Sequence, residues 1–355
     1  MYDIAIIGAG ASGLMCASNI QNKKICIIDT NIKIARKIKI SGGSKCNITN
    51  QYMGDKYYLG DTGFIQNILK QFDQNELLNY LNHNNLYPKV KPKIVKGTYF
   101  CNNSDEVISM FYNLIKKHKL YLDTKVIDVS YDDGFIIQTN HNIIKAKKLI
   151  VASGGLSYAS LGASSIGYDI AKKFGHNIIK LDPALVGFTV QKDQFWFKSL
   201  SGLSVDVKIK VENKTIEGSM LFTHKGCSGP AILSTSLYWK KGQISIDFLP
   251  KKDSYLPKRF IKAFKQNCKD ENNYKKELKN YTFAPAGNFG YTKAEVTKGG
   301  VDTDQIDIDT MQSKLQNDLY FIGEVLDVTG QLGGYNFQWA FSSAVVCARG
   351  INRCV

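Results

Sequence analysis

The sequence predicts an α/β fold, and three observations lead to this prediction. First, residues 2–8 (YDIAIIG) and 24–29 (KICIID) have the continuous apolar character of buried parallel strands, and a helical pattern at 12–22 joins them into a βαβ unit. Second, similar apolar strands recur far along the chain, at 147–153 and 319–324. Third, the sequence between these two strands changes to short alternating segments, which are typical of antiparallel strands.

These patterns divide the chain into one discontinuous domain and an insert. Residues 1–188 and 292–355 are expected to form the two parts of the α/β domain, whereas residues 189–291 form a β-rich insert that ends in basic helices. Helical apolar spacing at about 60–95 predicts a small helical excursion in the first part, and a strand is expected at 120–129.

The composition narrows the class of protein. The chain has 355 residues, of which 44% are hydrophobic, and no apolar run approaches the roughly 20 residues that a membrane-spanning helix needs. The first residues lack the basic and apolar regions of a secretory signal, so a cytoplasmic location is expected. The eight cysteines form no C-x-x-C pair and match no zinc or iron–sulfur spacing, so no metal site is expected.

The net charge of +15 has two interpretations. A polyanionic partner such as ribosomal RNA would explain it, because Lys and Arg make most phosphate contacts. The alternative is a general drift in composition, since Lys, Asn, Ile and Tyr are abundant together.

The most informative early motif is Gly8-x-Gly10-x-x-Gly13, which lies between the first strand and its helix. In such motifs the first glycine permits a tight turn, the second lets a pyrophosphate approach the backbone, and the third permits close helix–strand packing. Asp29 ends the second strand, where an acid accepts hydrogen bonds from an adenosine ribose. The dinucleotide contacts expected in this region are Gly8, Gly10, Ala11, Ser12, Gly13 and Asp29.

The glycine motif occurs in proteins that bind FAD and in proteins that bind NAD, so it does not distinguish the two cofactors. The C-terminal region, from the strand at 319–324 onward, indicates FAD. In two-dinucleotide-type flavoproteins a late strand ends in Gly-Asp or Gly-Glu, and the acid binds the ribityl chain of the flavin. A Gly-rich turn then opens a helix whose N-terminus faces the flavin pyrimidine. The strand–Gly154–Gly155 turn fits the same scheme. The FAD contacts expected from these segments are Gly154, Gly155, Gly323, Glu324, Gly333, Gly334, Tyr335, Asn336 and Gln338.

Five segments together resemble one bacterial family of NAD(P)/FAD-dependent oxidoreductases, which includes aminoacetone oxidase-like and 3-dehydro-bile-acid enone reductase flavoproteins. The segments are ISGGSKCNITN (40–50), PALVGF (183–188), LFTHKGCSGPAIL (221–233), AEVTKGGV (294–301) and GEVLDVTGQLGGYNFQWAFSSA (323–344). The resemblance implies a Rossmann-like, two-dinucleotide-type FAD domain made from both ends of the chain around a β-rich insert. Some relatives are also linked to dihydrouridine synthesis in ribosomal RNA.

The chain departs from the family pattern at two places. The family's Gly-Arg before the loop cysteine is replaced by Ser44-Lys45, which keeps the charge but loses the planar guanidinium. The family's Thr-Gly-Asp-Gly reads Ser-Ser-Ile-Gly at 164–167. These changes affect the transfer of substrate specificity more than the expectation of FAD binding.

The loop at 40–50 supplies one candidate catalytic group. Cys46 lies close in sequence to Lys39 and Lys45, and nearby positive charge lowers a thiol pKa, so Cys46 is a candidate acid or nucleophile. The alternative is a thiol that packs against the cofactor. The cofactor contacts expected from this loop are Ser41, Gly42, Gly43, Cys46 and Asn47.

The insert supplies two further candidates. His224 precedes a helix predicted to start at Pro230, and it is either an acid/base group or a histidine that hydrogen-bonds within its turn. Residues 251–281 hold ten Lys and Arg against four Asp and Glu, interleaved with five aromatic residues. Such a pattern suits RNA, but it also fits a solvated helix with aromatic residues in the core.

The sequence therefore predicts an FAD-dependent oxidoreductase that takes hydride from NAD(P)H and reduces an electron-poor C=C bond in an enone or a uracil ring. An oxygen-dependent oxidase of a small amine is the alternative reaction. An alternative of another class is a non-catalytic, flavin-containing RNA-binding protein of ribosome maturation.

Overall fold

The structure is a computed structural model that describes residues 1–91, 95–268 and 272–353. Cys354 lies outside the described residues. Within them, no helix has both the length and the apolar character that crossing a membrane requires.

The strands include the predicted βαβ strands at the N-terminus. In chain order the strands are β1 (Tyr2–Ile7), β2 (Ile25–Ile28), β3 (Asn47–Asn50), β4 (Tyr58–Leu59), β5 (Lys89–Val90), β6 (Thr98–Phe100), β7 (Lys119–Tyr121), β8 (Val126–Tyr131), β9 (Phe135–Thr139), β10 (Ile143–Val151), β11 (Ile178–Ala184), β12 (Phe188–Val190), β13 (Ser204–Val211), β14 (Lys214–Thr223), β15 (Gly226–Ser228), β16 (Ile244–Asp247), β17 (Tyr281–Phe283), β18 (Pro285–Asn288), β19 (Val296–Val301), β20 (Leu319–Phe321) and β21 (Thr329–Gly330).

The helices range from one turn to five turns. They are α1 (Ala11–Asn19), α2 (Arg36–Ile40), α3 (Thr62–Gln71), α4 (Gln74–His83), α5 (Ser104–Ile115), α6 (Ile166–Lys173), α7 (Pro230–Tyr238), α8 (Lys258–Asn267), α9 (Tyr274–Leu278) and α10 (Tyr335–Arg353). Short 3₁₀ segments lie at Ser41–Ser44, Asp55–Tyr57, Ala159–Leu161, Lys192–Leu200, Thr303–Gln305 and Gly323–Val325.

The chain forms two compact units. The first contains Met1–Asp182 and Thr297–Val355, and the second contains Pro183–Val296. The second unit thus begins six residues before the predicted insert at 189–291 and ends five residues after it.

The sheet of the first unit joins both ends of the chain. Its strand order is β7-β2-β1-β10-β9-β8, and β20 also pairs with β10. Strands β7, β2, β1, β10 and β20 are parallel to their neighbours, whereas β8, β9 and the first half of β10 form an antiparallel meander. Val151 on β10 lies opposite Ile7 on one side and Phe321 on the other. The predicted discontinuous α/β fold is confirmed.

One strand prediction was wrong in detail. The segment predicted as a single strand at 120–129 forms two strands, β7 and β8. Asp123 lies between them with a φ of +51°, a left-handed conformation that interrupts an extended strand. Its backbone N–H donates to the Asn31 carbonyl at 3.0 Å, which fixes the break.

The predicted helical excursion consists of α3 and α4, which are joined by Phe72 and Asp73. Asp73 caps α4 by accepting hydrogen bonds from the backbone N–H groups of Asn75 and Glu76, while the Glu76 carboxylate accepts from the Asp73 N–H. This capping box satisfies backbone N–H groups at the start of α4 and so fixes where the second helix begins.

The connection between α3 and α4 is held by hydrogen bonds from α10. The Gln338 amide nitrogen donates to the Phe72 carbonyl at 3.2 Å, and the Ser342 hydroxyl donates to the same carbonyl at 2.7 Å. The Gln338 carbonyl oxygen accepts from the Thr49 hydroxyl at 2.6 Å. Gln338 is 0% exposed, so its amide is committed to the packing of α10.

The second unit is built on an antiparallel sheet of order β17-β16-β13-β14-β15-β12-β18. Alternate residues of β13 are buried, as its pattern of alternating apolar and polar residues predicts. Phe260 and Phe264 of α8 are buried, and their rings pack on Phe248 and Tyr281. Three of the five aromatic residues of the basic segment at 251–281 (Phe260, Phe264 and Tyr281) are thus core residues.

We expect Gln338→Met to destabilise the first unit by about 1–3 kcal/mol, because it leaves the buried Thr49 hydroxyl without its acceptor. Urea unfolding measures this change. The matched control is Gln66→Met on the exposed face of α3, which should leave the unfolding midpoint unchanged. Equal midpoints for Gln338→Met and the wild type would contradict the structural role of this amide.

Candidate functional site

The turn between β1 and α1 brings three backbone segments into close contact. A Cβ atom on Gly8, whose φ is +110°, would lie 2.3 Å from the carbonyl oxygen of Ala152. A Cβ atom on Gly13 would lie 2.0 Å from the carbonyl oxygen of Gly8. Neither distance is sterically possible, so both glycines are required by the packing of α1 on the sheet.

Gly10 is different, because a Cβ atom built on it would meet no atom within 4 Å. Gly10 is also the N-cap residue of α1, and the first intrahelical bond runs from the Leu14 N–H to the Gly10 carbonyl at 3.0 Å. The N–H groups of the first turn therefore have no intrahelical acceptor, and together with the helix dipole they favour an anion. Open space beside such a helix start suits a diphosphate.

Asp29 stands at the end of β2 and organises the adjoining turn. One carboxylate oxygen accepts from the Ala9 N–H at 2.7 Å. The other oxygen accepts from the Asn31 N–H at 2.8 Å and from the Asn31 amide at 2.9 Å. The carboxylate is thereby fixed next to the glycine turn, where an acid that accepts from a ribose would lie.

The C-terminal part of the site lies directly against the N-terminal part. A Cβ atom on Gly323 would lie 2.6 Å from the Ser12 hydroxyl, so β20 ends beside the start of α1. The Gly323 N–H donates to the Ser343 hydroxyl at 3.0 Å, and its carbonyl accepts from the Trp339 indole at 3.1 Å. Helix α10 therefore fixes the segment that carries Glu324.

Glu324 is held at both carboxylate oxygens. One accepts from the Lys37 ammonium at 2.7 Å, and the other accepts from the backbone N–H of Thr297 at 2.9 Å. A Cβ atom on Gly155 would lie 2.9 Å from the second oxygen. Glu324 and Gly155, both predicted as FAD contacts, are thus adjacent.

Lys37 and Thr297 were not predicted as site residues. Lys37 lies on α2, in the basic run before the Ser-Gly-Gly loop, and its ammonium is also 5.7 Å from the centre of the Tyr158 ring. The Thr297 hydroxyl accepts from the Leu156 N–H at 2.8 Å and so holds the loop after Gly155. The segment AEVTKGGV that contains Thr297 was the available signal.

The loop after α2 has two glycines in left-handed conformations. The φ values are +54° at Gly42 and +65° at Gly43, and a Cβ on Gly43 would meet open space. The Ser41 hydroxyl donates to the Ile38 carbonyl at 2.8 Å, which closes the turn. Asn47 begins β3. Gly154, with a φ of +73°, likewise faces open space.

The expected lowering of the Cys46 pKa was wrong. Cys46 is 0% exposed, and burial raises the pKa of its thiol to about 12, with the neighbouring Cys101 adding to the shift. The charges of Lys39 and Lys45 do not reach it, because Lys39 pairs with Asp105 on the surface and Lys45 is exposed. The structure therefore favours a neutral packing thiol over a thiolate nucleophile.

The Gly-rich turn before α10 is fixed by backbone contacts. A Cβ on Gly334 would lie 2.4 Å from the carbonyl of Thr49, and the Gly333 carbonyl accepts from the Asn50 amide at 3.0 Å. Asn336 accepts from the Gly330 N–H and donates to the Gly330 carbonyl, at 2.8 and 2.9 Å.

The structure bears on three expected flavin contacts in this region, Tyr335, Asn336 and Gln338. Gln338 is fully buried and bonded within the protein, so it does not reach a cofactor edge. The Asn336 side chain is committed to Gly330, and Tyr335 is buried and stacks on Tyr57 at 4.8 Å. These residues shape the N-terminus of α10, whose helix dipole favours negative charge nearby.

His224 and its neighbours belong to the second unit. His224 lies in the exposed turn between β14 and β15. Cys227 is buried, which raises the pKa of its thiol. Pro230 is the first residue of α7, as predicted, and Gly229 is the N-cap of this helix.

Asp327 is a titratable residue that the sequence patterns did not indicate. Burial raises the pKa of its carboxyl group to about 6, and the nearby Asp302 carboxylate adds to the shift. Its backbone N–H donates to the Val301 carbonyl at 3.0 Å. Perturbed carboxyl groups of this kind are common at functional sites.

The fold and the site define an FAD-dependent oxidoreductase of the Rossmann type. The residues present fit the cofactor, because the open space at Gly10 adjoins a free helix N-terminus and the acids Asp29 and Glu324 flank it at two strand ends.

The chain belongs to the HI0933-like protein Rossmann domain family, whose model matches residues 2–350. It is 36% identical to the ribosomal RNA dihydrouridine synthase of Escherichia coli K12, covering 98% of this chain and 97% of the relative. It is 28% identical to the 3-dehydro-bile acid delta(4,6)-reductase of Clostridium scindens, covering 98% of each.

Among solved structures, the chain is similar to 3-ketosteroid delta1-dehydrogenase from Sterolibacterium denitrificans. The TM-score is 0.55 with 11% identity, and the match covers 100% of both chains. At this identity the similarity concerns the fold alone.

The contrast between Gly10 and Gly13 gives a matched pair of variants. Gly10→Ala should leave stability unchanged, since its φ of −87° suits alanine, but should weaken FAD binding about tenfold or more because the methyl group enters the diphosphate space. Gly13→Ala should destabilise the apoprotein by about 1–3 kcal/mol. Thermal unfolding of apoprotein and FAD titration by fluorescence quenching separate the two effects. The reverse pattern would refute this assignment of the two glycines.

Asp327 should make the first unit less stable at neutral than at acid pH. A folded-state pKa of about 6 lies above the unfolded value of 3.8, so this group's stabilisation is complete below about pH 4 and is lost as the pH rises through about 6. Asp327→Asn should therefore raise the free energy of unfolding by about 1–2 kcal/mol at pH 8 and change it little at pH 4.

Urea unfolding at the two pH values measures this difference for Asp327. Asp132→Asn, on an exposed turn, controls for the loss of one carboxylate. A stabilisation of Asp327→Asn that is equal at both pH values would contradict the raised pKa.

Proposed function

We propose that this protein reduces the electron-poor C=C bond of uracil in ribosomal RNA, with FAD as cofactor and NAD(P)H as the source of hydride. The proposal rests on the combination of a site and a relationship. The site has a fixed acid, Glu324, and open space at the start of α1, as flavin binding requires. The chain is 36% identical, over nearly its whole length, to a ribosomal RNA dihydrouridine synthase. The net charge of +15 supports a polyanionic substrate.

The residues that would hold FAD lie at three strand ends. The α1 N-terminus at Gly10 would bind the diphosphate, Asp29 the adenosine ribose, and Glu324 the ribityl chain. When bound, FAD supplies a ring that accepts hydride from one substrate and delivers it to another. The chain's own contribution is to position the two substrates and to fix the charges around the ring.

Lys37 would set the charge and orientation of Glu324. The 2.7 Å contact holds one oxygen of the half-buried carboxylate, and the Thr297 N–H holds the other. An acceptor that is fixed in this way gives a ribityl hydroxyl a single direction for its hydrogen bond. The N-terminus of α10, shaped by Gly334 and Asn336, would stabilise negative charge on the ring by its dipole.

A free enone is the second candidate acceptor. The 28% identity to a 3-dehydro-bile acid reductase favours it, because that relative is named for reduction of conjugated C=C bonds in a small molecule. Both candidates require hydride transfer to an electron-poor double bond, so they differ in what the protein binds rather than in the chemistry.

The decisive experiment uses the purified FAD-loaded protein and ribosomal RNA transcribed in vitro, which carries no modifications. We expect anaerobic flavin bleaching by NADH or NADPH, reoxidation by the transcript, and dihydrouridine in the digested RNA by mass spectrometry. Reoxidation by an enone such as a 3-dehydro-bile acid, with no change in the RNA, would support the second candidate instead. Reoxidation by oxygen with peroxide release and an amine as reductant would contradict both.

Two lysines on α2 provide a matched test of the site. Lys37→Met should weaken FAD binding about tenfold, because it leaves Glu324 without its cation. Lys39→Met should have little effect, since Lys39 pairs with Asp105 in an exposed ion pair. FAD titration of the apoproteins measures both. Equal losses in the two variants would argue for a general effect of charge and against the proposed role of Lys37.

A further inference from the structure

The positive charge is concentrated in the second unit. Residues 183–296 hold 19 Lys and Arg against 10 Asp and Glu, so about a third of the chain carries nine of the fifteen net charges. Two segments are more basic still: the 3₁₀ segment Lys192–Leu200, and 251–267, which contains α8. Together they hold eight Lys and Arg against two acids, Asp193 and Asp253.

The same two segments carry exposed aromatic rings. Among the described residues of the second unit, two large hydrophobic side chains are exposed, Phe195 at 45% and Tyr255 at 78%. Phe195 lies on the 3₁₀ segment, and Tyr255 lies three residues before α8. By contrast, the two aromatic residues of α8 itself, Phe260 and Phe264, are buried.

Helix α8 and the 3₁₀ segment are fixed to each other. The Arg259 guanidinium donates through Nε to the Ser199 carbonyl at 2.9 Å. Trp196 of the 3₁₀ segment packs edge-on against Phe264 of α8, with ring centres 5.9 Å apart. The two segments therefore lie side by side in the second unit.

One cation of these segments lies beside an exposed ring, and two others have no acidic partner within the part of the chain that the structure describes. The Lys198 ammonium lies 4.1 Å from the centre of the Phe195 ring. Lys258 and Lys262 are exposed one turn apart on α8, and none of the ion pairs among the described residues involves either of them. Exposed cations without carboxylate partners are available to phosphate.

We propose that the exposed side chains of Phe195, Lys198, Tyr255, Lys258 and Lys262 form one surface and that this surface binds single-stranded RNA. The lysines contact backbone phosphates, and the two rings stack on unpaired bases. Cations interleaved with exposed aromatic rings match single-stranded RNA, since every base has a stacking face and each phosphate a negative charge. The naming of RNA rests on the proposed function, whereas the surface itself rests on exposure and charge.

The test measures binding of a fluorescein-labelled, uridine-rich single-stranded RNA to the FAD-loaded protein by anisotropy at several salt concentrations. Lys258→Gln with Lys262→Gln should weaken binding at least tenfold at low salt and reduce the salt slope by about 1.4, since each phosphate contact on a single strand contributes about 0.7. Tyr255→Ala should weaken binding about tenfold with an unchanged slope, and Tyr255→Phe should restore it.

The matched control is Lys240→Gln with Lys241→Gln, which removes the same charge from an exposed site at the end of α7 in the same unit. Flavin absorbance and thermal unfolding verify that each variant is folded. Equal losses in the control and the α8 variant, or α8 and Tyr255 variants that bind like the wild type, would overturn the proposal. So would a wild-type protein that binds phosphatidylglycerol vesicles but not the RNA.

This outcome is separable from that of the proposed function. If the wild type binds the RNA through these residues but forms no dihydrouridine, the binding surface stands and the uracil reductase fails. If dihydrouridine forms at equal rates in the wild type and the α8 variant under limiting RNA, the surface fails and the reductase stands.

Discussion

Strand β10 is the structural link on which the site depends, because it pairs with β1 on one side and with β20 on the other. These strands are far apart in sequence, yet the parallel pairing places their carboxyl ends at one edge of the sheet. Ligand sites of open α/β sheets lie at that edge. The glycine turn at Gly8, the loop after Ala152 and the segment of Glu324 thus become neighbours.

Close backbone contact then decides which residues can occupy this edge. Gly8 and Gly13 are excluded from carrying side chains by neighbouring carbonyl oxygens, whereas Gly10 faces open space. The charge of Glu324 is matched at the same edge, because its carboxylate accepts from the Lys37 ammonium and from the Thr297 backbone N–H. Steric exclusion and electrostatic pairing therefore act together at this edge of the sheet, and the open space lies at Gly10.

Much of this could be predicted from sequence because its signals are local or regularly spaced. The Gly-x-Gly-x-x-Gly turn and the apolar strands specify their own conformation, and the C-terminal Gly-Glu follows a strand as expected. The errors arose where tertiary packing decides. Neighbouring lysines in sequence suggested a reactive Cys46, but burial raises its pKa. Gln338 lies one turn into α10, and no sequence pattern indicated that its amide would face the connection between α3 and α4.

The ion pair of Lys37 could not be predicted for a related reason. Its partner is 287 residues away, and no local pattern links α2 to the end of β20. The basic segment at 251–281 shows the same limit of sequence-based prediction, because its pattern does not indicate which aromatic rings are buried. Phe260 and Phe264 are in the core while Tyr255 is exposed, and only the packing of α8 distinguishes them.

The way the second unit is connected has an evolutionary consequence. The chain leaves the first unit along β11 and re-enters along β19, and these two strands pair with each other. Entry and exit points therefore lie side by side, as is usual where a domain has been inserted into a host fold. Sequences between the two strands can diverge or be exchanged without altering the register of the flavin-domain sheet. One flavin domain can in this way carry inserts of different sequence.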